Sequence, residues 1–382
     1  MTVAPAPDPA TEHRATEGRA REGNATERRD ALVERLFRAN IAMLDLMTVY
    51  LGDRLGLYRA LADGGPATPA DLAERTRTDE RYVREWLEQQ ATTQMLEVDG
   101  IDAPADARRY RLPPAHAEVL TDPDSLAYPA PLARFNVGVA RRLPDLVRAF
   151  RSGGGIDYGT YDADVREGQA DANRPLFANL LGQEWLPSIP DVHARLLAAP
   201  AARIADIGCG AGWSSIAMAR AYPSVTVHGF DADDRSIDLA RANAAAAGVA
   251  DRVAFGRHDV SELAREGTFD LVTAFECIHD MARPVDALRT MRRLVGERGA
   301  AIVADERVAE RFGALGDDVE RLMYAWSVLF CLPTGRAEEP SAATGTVMRP
   351  ATLERYAAEA SFGRVEILPI EHDLWRFYRL VP

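Results

Sequence analysis

Residues 203–213, Arg-Ile-Ala-Asp-Ile-Gly-Cys-Gly-Ala-Gly-Trp, set a short, mostly apolar run ahead of three glycines in five positions. The run predicts a buried strand, and the glycines predict a turn whose backbone a ligand or another chain segment must approach closely. Strands and helices alternate from there on. The strand 203–207 leads to a helix from Trp213 to Ala221, the strand "VTVHGF" (225–230) to an Ala-rich helix at 234–247 that stops at Gly248. The strands "RVAFGR" (252–257) and "FDLVTAF" (269–275), a helix at 284–295 and the strand "GAAIVADE" (299–306) continue the pattern. A helix at 351–360 and the strands "RVEILPI" and "WRFYRLVP" close the chain. Alternation of this kind predicts an α/β domain with a mostly parallel sheet covered on both faces.

The spacing around the loop constrains the ligand. A dinucleotide site wants G-x-G-x-x-G. Here Gly208, Gly210 and Gly212 give G-x-G-x-G, and the bulky Trp213 stands where a helix would pack against a pyrophosphate. No Lys or Arg lies within the glycine run. The polar partners are acids instead. Asp206 stands two residues before the first glycine, Asp231 ends the second strand and Asp259 follows the third. A carboxylate at the end of the second strand can accept both hydroxyls of a ribose, and one after the third can accept from an adenine amino group.

These stretches, "ADIGCGAG", "GFDADD", "RHDV", "FDLVTAFECIHDM" and "RRLVGERGAAIVADE", resemble in order the motifs of class I S-adenosylmethionine-dependent methyltransferases. The resemblance covers about 201–310. It implies a Rossmann-like seven-stranded methyltransferase domain whose last strand is antiparallel. It also implies S-adenosyl-L-methionine as cofactor, with Asp206, Gly208, Gly210, Gly212, Asp231, Asp259, Phe275 and Glu276 as its binding residues. Asp206 can face the ammonium group of that cofactor, directly or through water. The pair His279-Asp280, just past the fourth strand, is similar to the His-Asp pair of plant-type small-molecule O-methyltransferases. The resemblance makes His279 the expected general base and Asp305, with Glu306 as the alternate, the carboxylate that orients it. The family's Trp after that pair is Met281 here. No second histidine falls near Glu276, His279 and Asp280, so no metal is expected.

Upstream, residues 29–62 show apolar spacing of three and four that predicts a long helix. "TPADLAERTRTDERYVREWLEQQ" reads as two helices joined by a turn, the first capped by Thr68 and opened by Pro69, the second running from Asp79 to about Gln94 with Tyr82, Val83, Trp86 and Leu87 inward. "MLEVDG" and "RRYRLPP" complete a winged helix-turn-helix. This half resembles the winged-helix domain that precedes the catalytic domain in the same O-methyltransferases and their bacterial relatives, where it dimerises. Across 71–90, four Arg face six Asp or Glu, and a helix that grips phosphates should be net positive. The expected organisation is a disordered tail at 1–28 and an N-terminal helix plus winged-helix dimerisation domain at 29–120. A helical connector and lid follows at 121–200, then the cofactor-binding domain at 201–382 with an insertion at 311–350. Tyr158, Trp185 and Trp326 are candidate walls for a flat acceptor, with Tyr161 and Glu184 beside them.

The net charge of −13 disfavours partners such as nucleic acid and anionic membrane. Three widely spaced cysteines, Cys209, Cys277 and Cys331, fit reduced thiols in the cytoplasm better than a disulfide framework. The reading is therefore a cytoplasmic, homodimeric enzyme that transfers a methyl group to a small molecule, most readily to a hydroxyl oxygen. Carbon or nitrogen methylation, or a transcriptional regulator that senses S-adenosylmethionine, are the alternatives.

Overall fold

The computed structural model describes residues 9–263, 269–296 and 299–382. They fall into two compact units, Met1–Arg111 and Leu112–Pro382, a division ahead of the boundary expected at 120.

The first unit opens with α1 (Pro9–Arg54). Residues 9–28, expected to be a disordered tail, continue this helix, since Ala, Glu and Arg are strong helix formers. Residues 1–8 of that tail lie outside the described residues. The helix does not reach 62. Gly56, at φ 69°, breaks it, and α2 (Leu57–Gly64) restarts on the far side. The helix α3 (Pro69–Thr76) begins with a reciprocal cap: Asp71 N–H donates to Thr68 Oγ1 at 3.2 Å, and Thr68 N–H donates to the Asp71 carboxylate at 3.0 Å. Asp79 caps α4 (Glu80–Thr92). Val83, Trp86, Leu87 and Gln90 form the buried stripe of α4, at the three-and-four spacing of one helix face. Tyr82, expected inward, lies off that stripe and is 81% exposed. Trp86 meets Tyr58 edge-on at 5.0 Å. Strands β1 (Glu97–Asp99) and β2 (Arg109–Arg111) pair antiparallel as the wing.

The second unit is built on seven strands. They are β3 (Arg203–Ile207), β4 (Thr226–Asp231), β5 (Val253–Arg257), β6 (Leu271–Phe275), β7 (Ala300–Glu306), β8 (Arg364–Ile367) and β9 (Trp375–Val381). Their order across the sheet is β5-β4-β3-β6-β7-β9-β8. Strands β3 to β7 are parallel, and β9 inserts antiparallel between β7 and β8. Every residue of β6 and β7 is buried, as expected of central strands covered on both faces. One face packs on the helices Trp213–Ala221 and Asp234–Ala246 and on the segment 177–197 through Ile216, Met218, Ile237 and Leu181. The other packs on Pro284–Leu294 and Pro350–Glu359 through Leu288, Met291, Leu353 and Tyr356. The fold class is the expected one: a Rossmann-like seven-stranded domain preceded by a mostly helical winged-helix unit.

Because the parallel strands run the same way, the ends of β3, β4, β5, β6 and β7 share one rim. The glycine loop leaves β3 there. Gly212 sits at φ 81° as the N-cap of the helix Trp213–Ala221, and an added Cβ would lie 2.6 Å from the Phe255 ring. Gly212→Ala therefore combines left-handed strain with overpacking and is expected to cost ~2 kcal/mol or more. A lowered urea midpoint measures it; an unchanged midpoint would show that this turn carries no such constraint.

Candidate active site

A cavity of about 1200 Å³ opens at that rim. It is lined by the glycine loop, by Asp231, Asp259, Phe275 and Glu276, and by Tyr158 and Asp280. Nine Asp or Glu residues line it against four Arg, so its field favours a cation. Three of those arginines are committed: Arg166 to Asp233, Arg257 to Asp234, Arg283 to Asp259. The fourth, Arg235, is exposed.

The loop backbone is where a ligand can approach. Gly210 lies at φ 51°, and a Cβ built on it meets nothing within 4 Å. Gly208 differs: a Cβ there would strike the Cys277 side chain at 2.7 Å, so its bareness serves packing. The same holds for Gly212 against Phe255. Only Gly210 leaves open space of the kind expected at all three.

Asp231 stands beside it. Its Oδ2 accepts from Gly210 N–H at 2.9 Å and its Oδ1 from Asp233 N–H at 2.9 Å. Each carboxylate oxygen thereby keeps a lone pair for one more donor. Burial raises its pKa, with these backbone donors opposing the rise. Asp259 caps the turn Val260–Glu262 through Ser261 N–H at 2.8 Å and Ser261 Oγ at 2.6 Å, and Arg283 Nη2 holds its other oxygen at 2.8 Å. An adenine amino group at Asp259 would share that oxygen with Arg283.

Asp206 does not line the cavity. It is 1% exposed, under the loop, and accepts from Ser214 Oγ at 2.6 Å, Ser215 Oγ at 2.6 Å and Thr273 Oγ1 at 2.8 Å. Of the expected contacts with a cofactor's ammonium group, its buried position leaves the one through water. The carboxylate ties β3 to the first turn of the following helix and to β6. Trp185 and Trp326 are corrected. Trp185 is core, against Trp375 at 5.5 Å and Phe377 at 4.8 Å; Trp326 packs on Phe135 at 6.3 Å. Neither lines the cavity, nor do Tyr161 and Glu184. Tyr158 does; burial and Asp231 raise its hydroxyl pKa, so it stays a donor.

Past β6 the backbone is strained. Glu276 lies at φ 49°, an uncommon conformation for a residue with a side chain. Trp375 Nε1 donates to its Oε1 at 2.7 Å, and Asn173 Nδ2 donates to its Oε2. Glu306 is its other neighbour. Burial, then the charge of Glu276, pushes the Glu306 carboxyl well above the usual range, and burial raises Glu276 as well. Adjacent residues of a strand face opposite ways. That separates Glu306 from Asp305, whose Oδ1 sits 2.8 Å from His279 Nδ1. Asp305, not the alternate Glu306, is the carboxylate on His279.

His279 is buried and is not among the residues lining the cavity. Its Nε2 lies 3.2 Å from Asp280 Oδ1. Burial works against its charge, but Asp305 and Asp280 together raise its pKa well above the ordinary value. The imidazole of His279 thus lies between the side chains of Asp305 and Asp280. Cys331 joins the same corner, its thiol pushed up by burial to about 12. Cys277, raised by burial and donating to Ile207 O at 3.3 Å, is no nucleophile.

The Arg166–Asp233 pair, with contacts of 2.7 Å and 3.0 Å, was not expected from the sequence; it locks the helix Ala163–Leu176 to the end of β4. Nor were Asn173 and Trp375 expected on Glu276. Asp233 carried a signal as an N-cap ahead of Ser236; Arg166 carried none.

Comparison with known proteins agrees with this geometry. Residues 199–341 match the methyltransferase-domain family, and residues 42–122 match the Rv2258c-like winged HTH domain. The chain is 34% identical over 130 residues to a ubiquinone biosynthesis O-methyltransferase of Bordetella avium, an alignment covering 33% of this chain and 49% of that protein. It thus spans about half the length of this relative. The structure of the mitomycin 7-O-methyltransferase MmcR superposes with a TM-score of 0.66 at 20% identity, covering 93% of this chain and all of that one. Human N-acetylserotonin methyltransferase, solved with its cofactor, gives 0.65 at 16% identity, covering 91% and 97%. At such identities the likeness is one of fold. Residues 199–341 thus match a methyltransferase domain, which follows a match to a winged HTH domain. No helix among the described residues is long and apolar enough to cross a membrane.

The two aspartates should separate in experiment. Asp231→Ala is expected to weaken S-adenosylhomocysteine binding by ~10-fold or more with the urea midpoint nearly kept. Asp206→Ala, which leaves the buried hydroxyls of Ser214 and Ser215 without the acceptor they share, should lower stability by roughly 2–3 kcal/mol. Calorimetry and denaturation decide, and the reverse pattern would return Asp206 to the ligand.

Proposed function

We propose that this protein transfers a methyl group from S-adenosylmethionine to a hydroxyl oxygen of a small molecule, with His279 at the centre of the base. The observation that carries the reading is a single cavity that runs along the rim from Asp259 and Asp231, past the open backbone of Gly210, to Asp280. Asp231 suits a ribose, Gly210 an adenosyl group lying close to backbone, and the acidic lining a sulfonium. When bound, S-adenosylmethionine supplies an electrophilic methyl group that an acceptor oxygen takes as the methyl–sulfur bond breaks, the electron pair remaining on sulfur. The chain's own part is alignment in the pocket and removal of the hydroxyl proton. Phe275, Phe177 and Tyr158 wall the pocket, and Asp305 fixes the imidazole of His279. The proton passes into the run Asp280–His279–Asp305.

We read the winged helix as a dimerisation element rather than a DNA reader, in the cytoplasm. On α4, Arg81 is paired with Glu85 at 2.6 Å, and Arg108 near the wing with Glu88 at 3.2 Å, which leaves little free positive charge for phosphate. On α1, Leu36, Phe37, Leu44 and Met47 present an exposed apolar stripe of the kind a second copy covers.

His279→Ala is expected to slow methyl transfer from labelled S-adenosylmethionine by ~10²-fold or more while cofactor affinity stays within a few fold. Turnover at the wild-type rate would remove His279 from the chemistry. Light scattering should return the mass of a dimer, and a monomer at working concentration would end that reading.

A further inference from the structure

We infer that His279, Asp280 and Cys331 form a binding site for a borderline-soft divalent cation, Zn²⁺, whose occupation switches the active site off. The loss of turnover rests on the O-methyl transfer reading with His279 as base; the site itself rests on geometry. Among the described residues this is the one place where a histidine, a cysteine and a carboxylate converge, with ligand atoms within 4.8 Å of one another. His279 Nε2 and Asp280 Oδ1 stand 3.2 Å apart. A tetrahedral Zn²⁺ with bonds of about 2.0–2.3 Å sets its ligand atoms roughly 3.3–3.8 Å apart, so small side-chain rotations suffice. The other ring nitrogen is already placed as such a site requires. Nδ1 sits 2.8 Å from Asp305 Oδ1, the contact that orients a metal-binding imidazole and raises its basicity. Two buried oxygens point the same way. Asp280 Oδ1 and Thr346 Oγ1 have no hydrogen-bond partner among the described residues. Thr346 is 1% exposed, and its hydroxyl lies beside the Cys331 thiol.

Charge and access both suit the ion. A Cys331 thiolate and the Asp280 carboxylate offset its two charges, and a neutral imidazole leaves the buried set uncharged. Thiolate with imidazole selects Zn²⁺ over Mg²⁺ and Ca²⁺, which take oxygen ligands. On binding, Nε2 gives its lone pair to the ion, and the thiol proton and any proton on Nε2 leave to solvent. Asp280 lines the cavity with its side chain 21% exposed, so the ion enters from there. The turn Ile278–Asp280 is held against the segment that follows Cys331. Gly345 N–H donates to His279 O at 3.1 Å, and a Cβ on Gly335 would stand 3.0 Å from Asp280 O. The expectation of no metal considers only neighbours in sequence, whereas Cys331 arrives from the distant segment Ser327–Cys331. An ion on Nε2 leaves His279 no lone pair with which to take the acceptor's proton, and methyl transfer stops.

The full chain, freed of metal by a chelator, is titrated with Co²⁺ as a spectroscopic stand-in for Zn²⁺. Wild type should show the charge-transfer band of a cobalt–thiolate bond, saturating at one ion per chain. Cys331→Ser should lose the band and weaken Zn²⁺ binding by ~10²-fold or more, with donor affinity and basal turnover close to wild type. Cys331→Ala repeats the test without a new buried hydroxyl. Methylation of a panel of phenols with labelled S-adenosylmethionine should fall by ~10²-fold or more in wild type at saturating Zn²⁺, the loss expected when a general base is silenced. It should recover on chelation, and the Cys331 variants should resist the ion. No band in wild type, or a band and inhibition that persist in the Cys331 variants, overturns the site. Binding without loss of turnover overturns its role as an off switch. A chain that shows the Cys331-dependent band and methylates no phenol keeps the site and defeats the O-methyl transfer reading instead.

Discussion

A carboxylate with no access to solvent organises the catalytic unit. Asp206, at the end of β3, accepts from two serines in the first turn of the next helix and from Thr273 on β6. Three hydroxyls on one buried acid fix the angle at which the helix leaves the sheet and the spacing of β3 from β6. The loop between them then has one course open to it. It passes Cys277 at Gly208 and Phe255 at Gly212, and it presents bare backbone to the cavity at Gly210. Asp231 is held in turn by the Gly210 amide. The course of the loop along the cavity thus descends from an interaction buried beneath it.

What the sequence disclosed, and what it withheld, follows from the range of each interaction. Strands β3 to β7 were legible because a buried parallel strand is a continuous apolar run between turn residues. The glycine loop, the wing and the Thr68 cap were legible because their partners lie within a few positions. The hydroxyl partners of Asp206 were hidden for a reason of direction: an acid just before a glycine loop suits a ligand above the loop and a helix below it equally well, and Ser214 and Ser215 turn back to it. Trp185 and Trp326 failed because an aromatic ring that walls a pocket and one that fills a core have the same composition. Arg166 was invisible, since its partner Asp233 stands 67 positions away. The tail at 9–28 was read from what it cannot bury, whereas its helix rests on local propensity.

At the far end of the cavity the chemistry concentrates in consecutive residues. Glu276 holds a left-handed backbone, kept there by Trp375 and Asn173 from opposite ends of the unit. Strain of this kind persists where surrounding structure over-determines it, and it turns the chain sharply enough for His279 to go inward while Asp280 stays at the cavity wall. The alternation of β7 then matches it, sending Asp305 to His279 and Glu306 to Glu276. Two carboxyl pairs result: Asp305 and Asp280 on either side of the His279 imidazole, and Glu306 beside Glu276.

The account depends on the cavity at Gly210 and Asp231 taking an adenosyl sulfonium and not a dinucleotide. Isothermal titration of the purified chain with S-adenosylmethionine and with NAD, side by side, addresses this most directly. Saturable binding of S-adenosylmethionine at one site per chain, with no heat from NAD, is the expected result. Binding of NAD in preference, or of neither ligand to folded protein, would contradict it.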